Sequence, residues 1–167
     1  NSNDIFVGYV RSTYINKIED YIGNRLVKVL IGQRRVGKSY IMRQLAKNLV
    51  LKGVRPENIL MINKEFESYS FIETHKDLDM FISAYEEKFN PNGRVYIFID
   101  EIQEIEGWEK MVNSYSQDYS KEYELFISGS NSKMLSSELS TLLSGRYVEF
   151  KIFPFSYSEY CDVNNVA

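Results

Sequence analysis

The sequence predicts an α/β fold, in which one parallel β-sheet is covered by helices on both faces. Short runs of residues are apolar throughout, which is typical of strands buried on both faces. Segments with apolar residues at helical spacing separate these runs, and this alternation favours a parallel sheet. Ligands of such sheets bind at the carboxyl ends of the strands, so the residues that directly follow each apolar run are the candidates for a functional site.

The predicted elements alternate regularly along the chain. The first helix is predicted at residues 11–22 and the second at 39–52, where Gly53 provides a C-terminal stop. Thr74 caps a predicted third helix, which ends at the turn of residues 90–93. A fourth helix has an apolar face formed by Trp108, Met111, Val112, Tyr115 and Tyr119. The apolar runs predict five strands, at residues 26–31, 58–63, 94–100, 123–128 and 146–152.

Composition and charge limit the possible classes of function. The 167 residues suffice for one domain with a sizeable core, and 44% hydrophobic with 26% charged residues is typical of globular proteins. The net charge of -3 lacks the basic excess of proteins that bind phosphate backbones, so we do not expect nucleic acid as a partner. The one cysteine excludes an internal disulfide, and no apolar run is long enough to cross a membrane. We therefore expect a cytoplasmic protein.

The first apolar run leads into GQRRVGKS, with the spacing G-x-x-x-x-G-K-S. Two glycines at this spacing allow successive backbone N–H groups to surround phosphate oxygens, and the helix that follows adds the positive end of its dipole. The lysine can reach the β- and γ-phosphates, and the serine hydroxyl can ligate Mg²⁺. The predicted nucleotide-binding residues are Gly32, Gln33, Arg34, Arg35, Val36, Gly37, Lys38, Ser39 and Tyr40, although the two arginines can equally contact a neighbouring subunit or only water.

An acidic pair, Asp100 and Glu101, ends the third predicted strand. A carboxylate at the tip of a buried strand beside a phosphate loop can orient Mg²⁺, directly or through water. The next carboxylate projects differently and can activate the attacking water. A solvated acidic turn would contain the same residues, but the phosphate loop earlier in the chain favours the catalytic interpretation.

The same residues argue against other nucleotide-binding classes. A GTP-dependent switch protein would usually have D-x-x-G where this chain has DEIQ, and the NKEF sequence at residues 63–66 is not the N-K-x-D motif of guanine recognition. A small-molecule phosphotransferase generally avoids a water-activating glutamate such as Glu101. The pattern therefore favours hydrolysis of ATP.

Further candidates lie at the fourth and fifth strands. Ser128, Ser130 and Asn131 follow the fourth strand, which would lie beside the strand of the phosphate loop, and a polar side chain there can contact the attacking water or the γ-phosphate. Capping serines of an ordinary turn would look the same. Arg146 begins the fifth strand and can stabilise charge on a γ-phosphate, in a neighbouring subunit for example, or can be a surface arginine.

Taken together, these motifs resemble those of the AAA+ superfamily of P-loop ATPases. GQRRVGKS is similar to Walker A, YIFIDE (residues 96–101) to Walker B and FISGSN (residues 126–131) to sensor 1. SGRYVEFKIFPFS (residues 144–156) is similar to the segment that carries the arginine finger. The combination looks more narrowly like prokaryotic ATPases in which the AAA domain precedes a poorly characterised C-terminal domain.

The resemblance implies a three-layer α/β/α fold whose five strands have the order 5-1-4-3-2. It implies Lys38 for phosphate, Ser39 and Asp100 for Mg²⁺, Glu101 for the water, Asn131 as sensor 1 and Arg146 as the finger, with ATP and Mg²⁺ as cofactors. It also implies self-association through the finger and an effector domain that ATP turnover drives or gates. Family members continue into a lid and a further domain, so we expect residues 1–167 to form the P-loop core alone.

The phosphate loop is also compatible with a second class of function. A nucleotide-gated switch with negligible turnover would carry the same phosphate loop, so it stands as the alternative to an ATPase. The adenine pocket is not readable from the motifs, and Tyr9, Val10 and Arg11 are weak candidates because they precede the first strand. We expect His75 at the surface and Trp108 in core or interface packing.

Overall fold

The computed structural model describes residues 8–130 and 143–164, and its centre is a five-stranded parallel sheet. The strands are β1 (Val27–Ile31), β2 (Ile59–Asn63), β3 (Val95–Asp100), β4 (Tyr123–Gly129) and β5 (Tyr147–Lys151). Neighbouring strands follow the order β2-β3-β4-β1-β5, and each pair is parallel. This is the predicted order read from the other edge, so the predicted fold class is confirmed.

Helices cover both faces of this sheet. The helices that cover it are α1 (Ser12–Glu19), α2 (Lys38–Leu51), α3 (His75–Phe89) and α4 (Trp108–Gln117), whereas α5 (Tyr157–Asn164) has no buried residue. Short 3-10 helices lie at Pro56–Asn58, Glu67–Tyr69 and Ile102–Glu104. One core lies between the sheet and α3 and α4, and the other between the sheet and α1 and α2. Successive side chains of β1 alternate between them, since Val29 packs in the first core and Leu30 in the second. None of the helices in the described part of the chain is long and apolar enough to cross a membrane.

Several predicted helix details are wrong for local reasons. The first helix ends at Glu19 rather than at residue 22, because Tyr21 and Ile22 donate to carbonyls three residues back in a turn that leads to Gly23. Tyr119 lies beyond α4 and is exposed, with its ring against the Arg25 guanidinium. The helix α5 was not predicted.

The two packing predictions had different outcomes. Trp108 is buried in the first core, as predicted. His75 is not fully at the surface: it is half-buried at the start of α3, where its ring lies against Gly107. A Cβ at Gly107 would be 2.7 Å from His75 Nδ1, so a larger residue at this position would collide with the ring.

Candidate functional site

The phosphate loop joins the carboxyl end of β1 to the start of α2, and both of its glycines are required by geometry. A Cβ on Gly32 would lie 2.5 Å from the Ile152 carbonyl oxygen, closer than two such atoms can approach. Gly37 precedes α2 in the left-handed conformation, with φ of 100°, which favours glycine. Arg35 has φ of 66° without being glycine, so the loop contains one strained residue.

The side chain of Lys38 folds back over this loop. Its Nζ donates to the carbonyl oxygens of Gly32 at 2.9 Å and Gln33 at 3.1 Å, and lies 3.3 Å from Glu101 Oε1. The side chain is only 3% exposed. The ammonium group therefore lies at the loop, in contact with the carboxylate that was predicted to activate water.

The acidic pair lies at the carboxyl end of β3, as predicted. Asp100 is the last residue of the strand, and Glu101 follows in the left-handed conformation with φ of 55°. Because β3 and β4 are parallel neighbours, Ser128 of β4 reaches both residues: its Oγ donates to Asp100 Oδ1 and accepts from the Glu101 N–H at 3.1 Å. Glu101 Oε2 also accepts a hydrogen bond from Gln103 Nε2.

Asp100 and Ser39 have the properties of Mg²⁺ ligands. Asp100 is 5% exposed, and burial raises the pKa of its carboxyl group, although hydrogen bonds from the Ser128 and Ser39 hydroxyls oppose this effect. Its Oδ2 is buried and has no hydrogen-bond partner in the described residues. An orphaned carboxylate oxygen beside a serine hydroxyl suits a hard cation, so these two residues fit Mg²⁺.

A cavity of about 660 Å³ opens at this end of the sheet. Its lining residues are Arg34, Arg35, Gly37, Lys38, Ser39, Tyr40, Glu65 and Glu101. Arg34 Nη2 lies 2.9 Å from Glu65 Oε1, so one loop arginine is paired with an acid that follows β2. The Val36 side chain packs in the core instead, which leaves its backbone as the part of this residue that lies in the loop.

The structure does not bring every predicted residue to the cavity. Arg146 precedes β5 at the amino end of the sheet, where its Nη2 lies 3.2 Å from Asn113 Oδ1. Because the strands are parallel, that end is opposite to the phosphate loop, so Arg146 cannot contact a phosphate bound to its own chain. Asn131 lies outside the described residues, whereas Ser130 is half-buried just beyond β4.

The weak adenine-pocket candidates lie on another side of the loop. The Arg11 guanidinium is buried and bound by protein groups, including the Val36 carbonyl oxygen at 3.0 Å and the Glu159 carboxylate. Val10 is exposed, and Tyr9 contacts the Phe155 ring and Asp162. Arg11 thus has a structural environment and is not available to contact a base.

A sequence profile of the AAA domain family matches residues 24–161, which include the phosphate loop, the acidic pair and the last strand. This chain belongs to the AAA domain family. The resemblance inferred from the motifs is therefore confirmed at the level of the family.

Two relatives match this chain in sequence, and both are uncharacterized proteins. The domain is 38% identical over 156 residues to an uncharacterized protein of Haemophilus influenzae, and 32% identical over 139 residues to the uncharacterized protein MJ1544 of Methanocaldococcus jannaschii. These matches cover 93% and 83% of the chain but only 38% and 29% of the two relatives. Cdc6p of Pyrobaculum aerophilum has a similar structure, with a TM-score of 0.71 at 14% identity over 99% of the chain and 51% of that protein, which shows the fold alone.

Sequence reasoning missed several residues around the AAA domain's loop. Gln103 binds the Glu101 carboxylate, and Glu65 pairs with Arg34. Nothing in the local pattern indicates these contacts, since both depend on how separate loops meet. The helix α5 did have a signal, because Ser156 and Glu159 have the spacing of a capping box, and the structure contains both of its hydrogen bonds.

Proposed function

We propose that this AAA domain binds Mg·ATP and hydrolyses it to ADP and phosphate. The observation that carries the proposal is the pairing of Lys38 with Glu101 at 3.3 Å beside the cavity. It joins a cation suited to phosphate and a carboxylate suited to accept a proton from water. Asp100 and Ser39, next to them, fit the metal that nucleotide hydrolysis requires.

Each residue has a distinct part in this reaction. The N–H groups of the loop and the start of α2 hold the phosphate oxygens, and Lys38 turns from Glu101 towards the charge of the β- and γ-phosphates. Mg²⁺, when bound by Ser39 and Asp100, neutralises charge on these phosphates. Glu101 then accepts the proton of a water whose oxygen attacks the γ-phosphorus, and the bond to the oxygen of the departing ADP breaks.

Arg146 can take part in the reaction only at the nucleotide site of a neighbouring copy of the chain. Its place at the amino end of the sheet supports a role at the site of a neighbouring copy, and no role at its own. We therefore expect hydrolysis to depend on self-association of the domain. As the resemblance of the motifs implies, the hydrolysis would drive or gate an effector domain.

One observation favours the alternative, a nucleotide-dependent switch with negligible turnover. The Glu101 carboxylate is already bound by Lys38 and by Gln103, so in this state it is not free to orient a water. A domain that keeps this arrangement with nucleotide bound would hold ATP without cleaving it.

The decisive experiment measures ATP turnover per mole of protein with Mg²⁺, over a wide range of protein concentration. Specific activity that rises with concentration is expected, and Arg146→Ala should remove that rise while leaving nucleotide binding intact. Glu101→Gln should retain ATP but stop turnover, whereas Glu106→Gln, a nearby exposed carboxylate, is the matched control and should behave as the wild type. ATP binding without turnover at any concentration would favour the switch, and absence of binding would contradict both functions.

A further inference from the structure

Arg11 makes the most extensive set of side-chain contacts around the phosphate loop, and the proposed mechanism does not use it. Arg11 is only 4% exposed. The guanidinium donates to the carbonyl oxygens of Val36 at 3.0 Å, Phe153 at 2.8 Å and Pro154 at 3.3 Å. It also forms a bidentate pair with Glu159, with Nε to Oε1 at 2.8 Å and Nη2 to Oε2 at 3.0 Å.

The contact with Val36 determines the orientation of a peptide group in the loop. The peptide between Val36 and Gly37 is trans and planar, so its C=O and N–H point in opposite directions. Arg11 holds the C=O on one side, which directs the Gly37 N–H to the other. That N–H belongs to the glycine directly before Lys38, in the part of the loop that is expected to surround phosphate.

The other contacts of Arg11 hold the segment between β5 and α5. Phe153 and Pro154 follow β5, and Glu159 lies in the first turn of α5, where it accepts a hydrogen bond from the Ser156 N–H at 2.8 Å. None of the residues of α5 is buried. A helix without a buried face depends on contacts such as this ion pair to keep its position.

Arg11 itself is held in place by a buried residue of α2. Gln44 is 3% exposed; its Oε1 accepts from the Arg11 N–H at 3.4 Å, and its Nε2 donates to the Tyr9 carbonyl oxygen at 2.7 Å. The guanidinium also lies over the rings of Tyr14 and Phe155, at 4.5 and 5.1 Å from their centroids. Because the backbone and the side chain of Arg11 are both held in place, a movement of the phosphate loop is transmitted through Arg11 to α5, and a movement of α5 to the loop.

We infer that Arg11 is a positioning residue that couples nucleotide in the phosphate loop to the position of α5. The inference rests on the proposed function, because it assumes that the loop binds nucleotide. Phosphate that binds the Gly37 N–H strengthens the peptide orientation that Arg11 needs, and an ordered α5 in turn favours the loop conformation that binds phosphate. Such a coupling is reciprocal by thermodynamic necessity. Lysine cannot replace the residue fully, because its single ammonium lacks the planar fork that serves several acceptors at once.

The test combines Mg·ADP affinity with hydrogen exchange of the α5 amides, residues 157–164, in the wild type and in Arg11→Met. In the wild type, Mg·ADP should slow exchange in both the loop and α5. Arg11→Met should raise the Mg·ADP dissociation constant about tenfold, the size expected for loss of a hydrogen bond from a charged donor. In this variant Mg·ADP should slow exchange in the loop but no longer in α5.

Three further variants separate coupling from a loss of stability. Arg11→Lys should recover part of the affinity, and Glu159→Gln should remove the response of α5 while weakening affinity less than Arg11→Met. Arg94→Met removes an arginine that pairs with acids at the opposite end of the sheet, and both responses should remain as in the wild type. Should Arg11→Met not fold, Arg11→Lys and Glu159→Gln still decide the question.

The outcomes distinguish the two proposals. If Mg·ADP binds and slows exchange of α5 equally in the wild type and the Arg11 variants, the coupling is wrong and nucleotide binding stands. If Mg·ADP does not bind to the wild type, the proposed function fails, and the coupling fails with it. Loss of the α5 response in Arg94→Met would show that general destabilisation is the cause, which also overturns the inference.

Discussion

Two buried lysine–glutamate pairs lie at opposite ends of the same sheet and have different surroundings. Lys38 and Glu101 meet at the carboxyl ends of the strands and line a cavity. Lys28 of β1 and Glu124 of β4 meet near the amino ends, where their side chains are 0% and 1% exposed. Burial, with the Arg94 guanidinium nearby, lowers the pKa of Lys28 to about 7.

The difference lies in whether the partners can be exchanged. The Glu101 carboxylate and the carbonyl oxygens around Lys38 lie beside open space, so a phosphate can replace or join them. The pair of Lys28 and Glu124 is buried away from any ligand. Glu124 Oε2 also accepts a hydrogen bond from the Gly23 N–H at 3.1 Å, and the Lys28 ammonium lies over the Phe126 ring. The same two residue types thus serve a structural role at one end of the sheet and a proposed catalytic role at the other.

The largest expected effect is the loss of stability when the pair of Lys28 and Glu124 is broken. Glu124→Gln should lower the free energy of unfolding by about 3–5 kcal/mol, because it leaves Lys28 buried without its counter-charge. The double variant Lys28→Met with Glu124→Leu should recover most of that loss, since an apolar pair has no charge to desolvate. Denaturant unfolding measures both, and nucleotide affinity should change in neither. A double variant as unstable as the single one would show that the pair is needed for more than mutual neutralisation.

Substitution in the pair of Lys38 and Glu101 should affect nucleotide binding more than stability. Lys38→Met should weaken ATP binding by about 100-fold, roughly 3 kcal/mol, because a charge-assisted hydrogen bond to phosphate is lost. Its free energy of unfolding should stay within about 1 kcal/mol of the wild type, since residues at functional sites are not optimised for stability. Titration with a fluorescent ATP analogue and denaturant unfolding test this. A loss of stability comparable to that of Glu124→Gln would mean that the two pairs have the same role.

A smaller effect is expected when an arginine in the left-handed conformation is replaced by glycine. Two such arginines can be compared: Arg35 in the phosphate loop, with φ of 66°, and Arg25 near the amino ends of the strands, with φ of 63°. Arg35→Gly should stabilise the protein by about 0.5 kcal/mol, because relief of roughly 1–2 kcal/mol of strain exceeds the entropic cost of glycine. It should also weaken nucleotide binding severalfold, since Arg35 lines the cavity.

Arg25→Gly is the matched control. It relieves the same strain but loses the hydrogen bond from Nη2 to the Lys121 carbonyl oxygen, so its net effect on stability should be close to zero. Nucleotide affinity should not change in this variant. Equal effects of both substitutions on affinity would contradict the assignment of Arg35 to the site.

The smallest effect concerns the pair of Arg11, which is buried, and Glu159, which is partly exposed. Hydrogen bonds from Arg11 hold the pKa of Glu159 below its ordinary value. An acid with a lowered pKa stabilises the folded state above its ordinary pKa, near 4.5, and this contribution is lost as pH falls through the lower folded value. Glu159→Gln should therefore flatten the acid side of the stability profile below about pH 4.5, as thermal unfolding across pH would show. A profile identical to the wild type would mean that the pair is not formed in solution.

Most of the sheet could be predicted because its signals are local. Each strand is a short apolar run, and both glycines of the phosphate loop belong to one short motif. The left-handed conformation of Gly37 is local, whereas the close contact that requires Gly32 is with Ile152, far along the chain. Helix ends were less predictable. The end of α1 at Glu19 and the position of Tyr119 outside α4 depend on turn hydrogen bonds that apolar spacing does not reveal.

The site was predicted to the extent that it lies directly after strands. Lys38, Ser39, Asp100, Glu101 and Ser128 meet because parallel strands place their carboxyl ends at one edge. The first two were predicted from the spacing G-x-x-x-x-G-K-S, and the other three from their places at the ends of apolar runs. Their individual roles stay predictions. The role of Arg146 was open in the sequence, and only the direction of β5 shows that it lies away from its own phosphate loop.

The sequence by itself determined the strands, the phosphate loop, the acidic pair and the family to which they belong, because each is encoded by residues close together in the chain. Only the tertiary structure decided which distant charges meet. Lys28 and Glu124 are 96 residues apart, and Arg11 and Glu159 are 148 apart. Such pairings depend on the order of strands and the path of the chain ends, since burial makes an unpaired charge costly wherever the fold places it.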